Sequence, residues 1–342
     1  MLFRSEPKGV MHSSNTLFSN LLPFAQRLGL GEHDVVLMAS PLAHQTGFLY
    51  GLMMPIILGA TAVLQDIWRA DRGADIIAAE KVTFTMASTP FLADATAAAE
   101  KRPEAFASLR IFVSAGAPIP RVLVQAAGTA LGANIVSAWG MTENGAVTTT
   151  RIGDMPDKTF GTDGCALPGM ELRTLDSAGT VLPAGAEGRL QVRGCSNFVG
   201  YLKRPALYGT DMDGWFETGD LARIDGEGYV RITGRSKDII IRGGENIPVV
   251  EVEGLIYRHP AVLEAAIVGM PDVRLGERGC AFVVLRAGAS LGLAGLVAFL
   301  EQHKLARQYL PEHLEIVADL PKTPSGKIQK FKLREMAKSF AI

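Results

Sequence analysis

Short apolar runs alternate with alanine-rich stretches over the first 160 residues of the chain. The apolar runs predict strands at residues 34–38, 82–86, 109–113 and 134–138. Apolar positions that recur with helical spacing predict helices at residues 74–79, 91–101 and 121–131. Because strands that alternate with helices form layered sheets, this pattern predicts an α/β domain whose sheet is covered on both faces.

One apolar stretch, residues 35–65, contains no Asp, Glu, Lys or Arg. A membrane-spanning helix needs about 20 consecutive apolar residues, but Gly47, Gly51, Pro55 and Gly59 interrupt this run. We therefore predict a buried strand, a loop, a short helix and a second strand, and no membrane span.

The pattern changes near Met170, where apolar and polar residues begin to alternate. This alternation predicts an antiparallel meander with strands at 171–175 and 188–193, followed by a hairpin over 221–232. Asp225 and Gly226 supply the tight turn of that hairpin.

A third pattern begins after Gly234. It predicts a helix that begins at Pro248 and ends near His259. Further elements are predicted as strands at 265–268, 281–285 and 314–317 and a helix at 293–303. We therefore predict an α/β protein with a layered large domain at residues 1–236, which includes a distorted β-meander, and a small mobile α+β domain at residues 237–342.

The composition is that of a folded, weakly charged chain of 342 residues, 48% of them hydrophobic. At about 150 residues per domain, this length predicts two domains. The formal net charge of −1 creates no strong field for nucleic acid or an anionic membrane. Cys165, Cys195 and Cys280 lack the spacing of a metal or redox site. No signal-peptide pattern opens the sequence, so we expect a reduced cytoplasmic protein, and a homo-oligomer is compatible with it.

Residues 323–327, Thr-Pro-Ser-Gly-Lys, predict an exposed turn that presents Lys327. A lysine in such a turn can reach out of its own domain as a point charge. The alternative is a basic solvated tail, because residues 322–338 carry six basic residues against one acid. Nucleic-acid binding by this stretch is a more remote alternative, since no platform of aromatic residues accompanies the lysines.

Residues 139–143, Trp-Gly-Met-Thr-Glu, follow a predicted strand. The indole of Trp139 offers a stacking face, and Gly140 would let a ligand approach the backbone. Thr142 and Glu143 supply the hydroxyl and carboxylate oxygens that Mg²⁺ prefers. The alternative is a simple turn beside a core tryptophan.

Two other segments lie at predicted strand ends. Asp220 could accept hydrogen bonds from a ribose diol, although a turn aspartate is the common explanation. Small residues at 114–118 follow a predicted strand and leave room for a planar ring in the crevice where α/β folds bind ligands.

Two further signals are weak when taken singly. His44 is a lone histidine beside an apolar run, which is usually a core residue. Gly243 and Gly244 could form only a glycine loop that leads into the helix at Pro248.

The order and spacing of these segments resemble the adenylate-forming superfamily of acyl-CoA synthetases, luciferases and peptide-synthetase adenylation domains. The resemblance extends from about residue 6 to the end of the chain. It rests on motifs at residues 139–143, 218–220, 234–238, 243–245 and 324–327. Residues 41–47 and 243–248 look most like cyclohexanecarboxylate-CoA ligases and related short- or medium-chain fatty acyl-CoA ligases.

This resemblance implies an ATP-dependent carboxylate-CoA ligase that uses Mg²⁺ and works in two steps. A small carboxylic acid attacks the α-phosphate of ATP to give an acyl-adenylate and pyrophosphate, and coenzyme A then displaces AMP. Lys327 would stabilise the charge that develops between carboxylate and phosphate. His44 would lie near the carboxylate in an acyl pocket with Phe48 and Gly51.

The resemblance also implies a nucleotide site. Trp139 would lie against adenine, Asp220 would bind the ribose, Arg235 would contact ribose or phosphate, and Glu143 with Thr142 would hold Mg²⁺. The residues implied at ATP or AMP are Gly116, Ala117, Pro118, Trp139, Gly140, Met141, Thr142, Asp220 and Arg235.

The same resemblance implies that the small domain swings between the two steps. Lys237 would be the hinge. Gly243, Gly244 and Glu245 would line the channel for the coenzyme A thiol after the swing.

The chain departs from the family pattern at its start. Relatives carry a Gly/Ser/Thr-rich phosphate loop just before the segment at 6–10, where this chain has Met-Leu-Phe-Arg-Ser. Lys8 remains but would lack that loop, so we expect an N-terminally truncated member. The alternatives to a full ligase are a catalytically impaired protein that binds nucleotide only, or an adenylating enzyme that transfers the acyl group to a carrier protein.

Overall fold

A seven-stranded β-sheet organises the larger half of the protein in a computed structural model that describes residues 8–116, 119–236, 238–323 and 326–340. The helices described in this half are α1 (Ser14–Leu28), α2 (Met54–Leu58), α3 (Ala70–Glu80), α4 (Thr89–Lys101), α5 (Arg121–Leu131) and α6 (Pro156–Gly161). Its strands are β1 (Val10–Met11), β2 (Val35–Met38), β3 (Thr61–Leu64), β4 (Phe84–Ala87), β5 (Ile111–Ala115), β6 (Asn134–Met141), β7 (Gly145–Thr149), β8 (Cys165–Ala166), β9 (Met170–Leu175), β10 (Glu187–Gly194), β11 (Gly200–Tyr201), β12 (Phe216–Ile224) and β13 (Val230–Arg235).

The order of strands in this sheet is β3-β2-β4-β5-β6-β7-β8, with β3 to β6 parallel and the last two antiparallel. Successive residues of β5 enter opposite cores: Ile111 and Val113 belong to one buried cluster and Phe112 to another. Such strands, buried on both faces, are typical of parallel sheets. The predicted α/β sheet with two covered faces is confirmed.

The apolar stretch at 35–65 folds as β2, a loop, a π-helical segment (Gly47–Met53) that continues into α2, and then β3. A Cβ atom at Gly47 would lie 2.3 Å from the carbonyl oxygen of Pro41, and one at Gly51 would lie 2.3 Å from Cγ of Met38. These glycines, one helical turn apart, let the helical segment pack directly on β2 and its following loop. No helix in the described ranges is long and apolar enough to cross a membrane.

Helix α1 is missing from the elements predicted above, although its sequence carries helix signals. Ser13 accepts a hydrogen bond from the Thr16 backbone N–H in a capping box, and Gly29 ends the helix with φ of 61°. Pro23 lies inside the helix, which argues against a helix at the level of sequence.

The predicted meander forms a four-stranded antiparallel sheet in the order β13-β12-β10-β9. Shifts in register between Arg189 and Gln191 and between Leu221 and Ala222 distort it. The sheet therefore brings Asp220 on β12 directly opposite Arg235 on β13.

The described residues after 239 form a second, smaller unit. Its elements are β14 (Ile240–Arg242), β15 (Glu245–Ile247), α7 (Val249–Ile256), β16 (Val262–Asp272), β17 (Gly276–Leu285), α8 (Leu293–Gln302), β18 (His313–Ile316) and α9 (Lys330–Ala337). The five strands form one sheet, in which β18 is parallel to β17. Helices α7 and α8 cover one face and α9 covers the other.

Two interpretations change at this point. The segment read as a basic solvated tail contains α9, whose Leu333 and Ala337 are fully buried against the sheet, so that reading was wrong. The glycine loop at Gly243 and Gly244 is the turn of the hairpin between β14 and β15. The domain boundary after residue 236 stays a prediction, and Lys237 lies outside the described residues.

Candidate active site

A cleft of about 1400 Å³ opens between the large and small domains. Its large-domain wall includes Gly116 after β5 and Trp139 on β6. Its small-domain wall includes Lys327 and the segment that leads into α7. Because ligands of α/β sheets bind at the carboxyl ends of the strands, the cleft lies where this fold places a ligand site.

Asp220 lies in this cleft with its carboxylate held from two sides. The indole N–H of Trp139 donates a hydrogen bond to its Oδ2 at 2.9 Å, and Nε of Arg235 donates to its Oδ1 at 2.8 Å. Asp220 is only 3% exposed. Each carboxylate oxygen keeps a further lone pair, so the arrangement can accept two hydroxyl hydrogen bonds from a ligand.

Gly140 is required by its own hairpin. A Cβ atom at this position would lie 1.8 Å from the carbonyl oxygen of Gly145, because β6 and β7 approach closely there. Gly140 also lines the cleft, so its expected contact with a ligand stays a prediction, while the close approach that the structure shows is to the neighbouring strand. Met141, the next residue, is half-buried and packs against the core of the large domain.

Glu143 and Thr142 lie at the end of this hairpin. The Tyr201 hydroxyl donates to Oε1 of Glu143 at 2.5 Å, while Oε2 takes no hydrogen bond from the described residues. The carbonyl oxygen of Thr142 accepts hydrogen bonds from His12 Nε2 at 2.8 Å and from Gln45 Nε2 at 3.0 Å. The backbone of this pair is thus held in place, and Oε2 of Glu143 stays unpaired within the part of the chain that the structure describes.

These two residues fit a magnesium ion that is shared with phosphates. Within the described ranges, no group of three or more His, Cys, Asp or Glu side chains could hold a metal. Mg²⁺ is, however, usually bound through one or two carboxylates, with phosphate oxygens and water as its other ligands. Glu143 Oε2 and the exposed Thr142 hydroxyl match such a partial donor set.

Lys327 ends a turn that is closed by its own hydrogen bonds. The backbone N–H of Thr323 donates to the Lys327 carbonyl at 2.8 Å, and the N–H of Lys327 donates to Thr323 Oγ1 at 3.1 Å. Although water reaches the lysine side chain, the two domains partly desolvate it. This desolvation and then the positive charge of Arg235 lower the pKa of Lys327, against the opposing pull of Asp220 and other carboxylates.

His44 is exposed at the cleft rather than buried in a core, so the usual reading of a lone histidine does not apply. Partial desolvation and the nearby charge of Lys327 lower the pKa of His44, which favours the neutral imidazole. Phe48 and Gly51 are not among the described residues that line the cleft. Tyr50, which lies between them, lines it instead and is 2% exposed.

The remaining predicted residues divide between the cleft and other places. Gly116 lines the cleft with φ of 84°. Ala117, Pro118 and the hinge residue Lys237 lie outside the described residues. Gly243, Gly244 and Glu245 are not among the described residues of the cleft wall; a Cβ atom at Gly243 would meet Leu275 of the same domain at 3.3 Å.

Most of the basic residues near Lys327 are paired within the small domain. Lys322 contacts Glu264 at 2.7 Å and Lys330 contacts Glu253 at 2.7 Å. Arg334 pairs with Asp238, and Lys338 pairs with Glu335 at 2.8 Å. Lys322, Lys330 and Arg334 also line the cleft, so Lys327 is distinguished from these paired neighbours by having no ion pair among the described residues.

Sequence reasoning missed several residues that hold the site together. His12, Gln45 and Tyr201 bind Thr142 and Glu143 from three separate segments. Asn20 of α1 donates hydrogen bonds to the carbonyl oxygens of Asn144 and Ala146 at 3.1 and 2.7 Å and accepts one from Tyr50 at 2.6 Å. A further signal was present for Gln45, since it directly follows His44.

The fold and the cleft define a two-domain α/β protein in which a lysine of the small domain faces a buried carboxylate of the large one. This chain belongs to the AMP-binding enzyme family. The family model for the AMP-binding enzyme matches residues 5–202, and the model for the AMP-binding enzyme C-terminal domain matches residues 251–327.

A medium-chain fatty-acid-CoA ligase of Escherichia coli is 40% identical over 332 residues, which are 96% of this chain and 58% of that protein. Among solved structures, ATP-bound MatB from Rhodopseudomonas palustris matches with a TM-score of 0.89 and 30% identity, over 97% of this chain and 66% of that one. The apo form of MatB matches with a TM-score of 0.76 and 31% identity, over 99% and 67%. The chain thus spans less than two thirds of the first two proteins.

Proposed function

We propose that this protein is an ATP-dependent carboxylate-CoA ligase, or the part of one that forms and consumes the acyl-adenylate. The observation that carries the proposal is the position of Lys327 in the same cleft as Asp220, Glu143 and His44. The chemistry needs a cation between a carboxylate and a phosphate, a group for the ribose and oxygens for a metal, and the cleft offers all three.

In the first step, an oxygen of the substrate carboxylate forms a bond to the α-phosphorus of ATP. The bond to the β-phosphate oxygen breaks, and pyrophosphate leaves with the electron pair. The Lys327 ammonium stabilises the negative charge that builds up on the α-phosphoryl oxygens. Mg²⁺ bound through Glu143 and Thr142 would neutralise phosphate charge. Asp220 fixes the nucleotide through its ribose hydroxyls, with Trp139 and Gly116 on the adenine side.

In the second step, the thiol sulfur of coenzyme A attacks the acyl carbon, AMP leaves with the electrons of the broken C–O bond, and the thiol proton is lost to solvent. The hairpin turn at Gly243, Gly244 and Glu245 would reach the cleft only after the small domain swings about Lys237. The TM-score is higher with ATP-bound MatB than with apo MatB. This difference supports the proposal that the two domains are arranged here as for the first step.

We infer a short- or medium-chain or alicyclic acid as the substrate. The identity to a ligase named for medium-chain fatty acids supports this class. Neutral His44, close to Lys327, leaves the carboxylate free to approach the phosphate without forming an ion pair to the imidazole.

The direct test measures pyrophosphate release with ATP, Mg²⁺ and a panel of straight-chain and alicyclic acids. We expect release with at least one acid and loss of about 100-fold or more in Lys327→Ala, since removal of one preorganised charge-stabilising group typically costs that much. Lys332→Ala is the matched control, because Lys332 is an exposed lysine of the same segment.

The outcomes separate the alternatives. AMP binding without pyrophosphate release from any acid would identify a protein that only binds nucleotide. Release that continues unchanged in Lys327→Ala would contradict the proposed mechanism. Supplying coenzyme A or a carrier protein after the first step distinguishes a CoA ligase from a carrier-loading enzyme.

A further inference from the structure

Gly326, in the turn that carries Lys327, lies against the start of helix α4 in the large domain. Gly326 has φ of 82°, and a Cβ atom there would lie 2.7 Å from Oγ of Ser88, 3.4 Å from Cε2 of Phe91 and 3.6 Å from Cγ of Pro90. Ser88 is the N-cap residue of α4, and the two others lie in its first turn. We call Ser88, Pro90 and Phe91 the α4 seat.

Trp68 packs against the α4 seat and supports it. The Phe91 ring lies 5.1 Å from the ring of Trp68, centre to centre, and the indole N–H of Trp68 donates to Asp94 of the same helix at 2.8 Å. Phe91 is 7% exposed, so it cannot swing freely. The seat is therefore a rigid surface rather than a loop that adapts to its partner.

Two features of α4 and its N-cap residue point toward the small domain. Oγ of Ser88 is buried and has no hydrogen-bond partner among the described residues, and it makes no capping bond in its own helix. The positive charge of Lys322, at the other end of the Lys327 turn, acts on Asp94 of α4. The small domain thus places a glycine against Ser88 and a lysine, itself paired with Glu264 at 2.7 Å, near Asp94.

We propose that the α4 seat positions Lys327. When the small domain closes, Gly326 packs against the seat, and this contact fixes the position of the Lys327 amine in the cleft. Ser88 and Phe91 are then positioning residues, which act through Gly326 and do not touch the reacting atoms. This inference rests on the proposed function. It predicts that contact between the seat and Gly326 belongs to adenylate formation and must break before thioester formation.

Two separate features favour glycine at residue 326. Its positive φ disfavours any side chain, and a Cβ atom would press on Ser88. A displacement of about 1 Å in a reacting group can cost about 100-fold in rate. A misfit at the seat should therefore slow the first step selectively.

The sharpest experiment joins the two surfaces covalently. A disulfide requires Cβ atoms about 3.5–4.5 Å apart, and Oγ of Ser88, one bond from its Cβ, lies 2.7 Å from the Cβ position of residue 326. We would make Ser88→Cys with Gly326→Cys in a Cys195→Ser background, because Cys195 is the exposed native thiol among the described residues. Disulfide formation under mild oxidation is followed by mass spectrometry and thiol counting.

We expect the disulfide to form in most molecules. The oxidised protein should make acyl-adenylate in a single turnover at a rate within about threefold of its reduced form. Thioester formation from added acyl-adenylate should fall at least tenfold and return on reduction. Failure of the disulfide to form, or normal thioester formation in the linked protein, would overturn the inference.

A second set of variants avoids the engineered bond. Gly326→Ala should slow pyrophosphate release at least tenfold, and adding Ser88→Ala should restore at least fivefold of that loss, because it removes the nearest atom. Gly288→Ala is the control for backbone strain alone, since Gly288 has φ of 77° with open space around it. If Ser88→Ala restores nothing, the seat does not act through Gly326.

Lys327→Ala separates this inference from the proposed function. If that variant keeps the wild-type adenylation rate, the proposed function fails whatever the seat does. If it loses adenylation while the disulfide does not form and Ser88→Ala rescues nothing, the function stands and the seat alone is wrong.

Discussion

The small domain carries two glycine turns that lie in different environments. The turn at Gly326 and Lys327 projects into the cleft and touches α4 of the large domain. The turn at Gly243 and Gly244 has equally unusual backbone angles, with φ of 59° and 90°, but packs near Leu275 of its own domain. Both were visible in the sequence as glycine turns beside a polar residue, so the difference lies in where the domain interface places them.

Under our proposal, the two turns act in the cleft one after the other. A rigid small domain that seats one turn against the cleft holds the other away from it. The described arrangement therefore corresponds to adenylate formation under our proposal. Variants that affect one step and spare the other test whether the two turns act in different steps.

The largest expected effect on ligand affinity concerns the nucleotide site that both steps share under our proposal. Asp220→Ala removes a buried carboxylate that binds Trp139 and Arg235. Each lost hydrogen bond from a ribose hydroxyl to the charged carboxylate costs about 1.5–3 kcal/mol, so we expect AMP affinity to fall at least 30-fold by calorimetry. Asp213→Ala, at an exposed position of the preceding loop, serves as control. Unchanged AMP affinity would show that Asp220 has a structural role and does not bind the nucleotide.

The next effect separates the two turns. Gly244→Ala places a side chain at φ of 90°, where strain costs about 1–3 kcal/mol. We expect thioester formation from acyl-adenylate to fall about tenfold while pyrophosphate release stays within twofold. Gly179→Ala has the same φ in an open turn of the large domain and should spare both steps. Equal loss in both steps would argue against a role for this turn in the second step alone.

A smaller effect is expected at Glu143 and Thr142, the proposed magnesium ligands. Tyr201→Phe removes the hydroxyl that holds Oε1 of Glu143. Hydrogen bonds to charged groups contribute about 1.5–3 kcal/mol when water does not replace them. We expect the half-saturating Mg²⁺ concentration for ATP binding to rise about fivefold, measured by calorimetry. Tyr208→Phe, whose hydroxyl donates to a backbone carbonyl at 3.2 Å, should leave the Mg²⁺ dependence unchanged.

The smallest expected effect is on the pH dependence of the adenylation rate. Desolvation and the charge of Arg235 lower the pKa of Lys327, so the ammonium is present at low pH and is lost as pH rises through that value. Adenylation should therefore decline at a pH below the ordinary lysine value of about 10.4. Thioester formation from added acyl-adenylate should lack this decline. The same decline in both steps would show that another group titrates.

Much of the local structure follows from the sequence. The predicted helix at 121–131 coincides with α5, and the predicted strand at 109–113 overlaps β5. These elements obey a regular spacing of apolar residues within one segment. Helix α1 was overlooked because Pro23 interrupts its pattern, yet tertiary burial of Phe24 and Leu28 keeps it intact.

The candidate site shows the same division. Lys327, Asp220 and Glu143 could be selected because each stands in a short motif whose order matched a known family. Tyr201 and Ser88 could not, since neither has a local pattern that departs from an ordinary strand or helix start. Their importance comes from partners at Glu143 and Gly326, which are distant along the chain.

Most strands and helices, and the chemical groups at their ends, could be predicted from the sequence, because periodicity and motif spacing are local properties. The hydrogen bond from Trp139 to Asp220, 81 positions away, and the placement of one glycine turn rather than the other at the cleft could be seen in the folded chain alone. The physical reason is that such pairings depend on sheet register and on how two rigid domains dock, and many residues share in setting both.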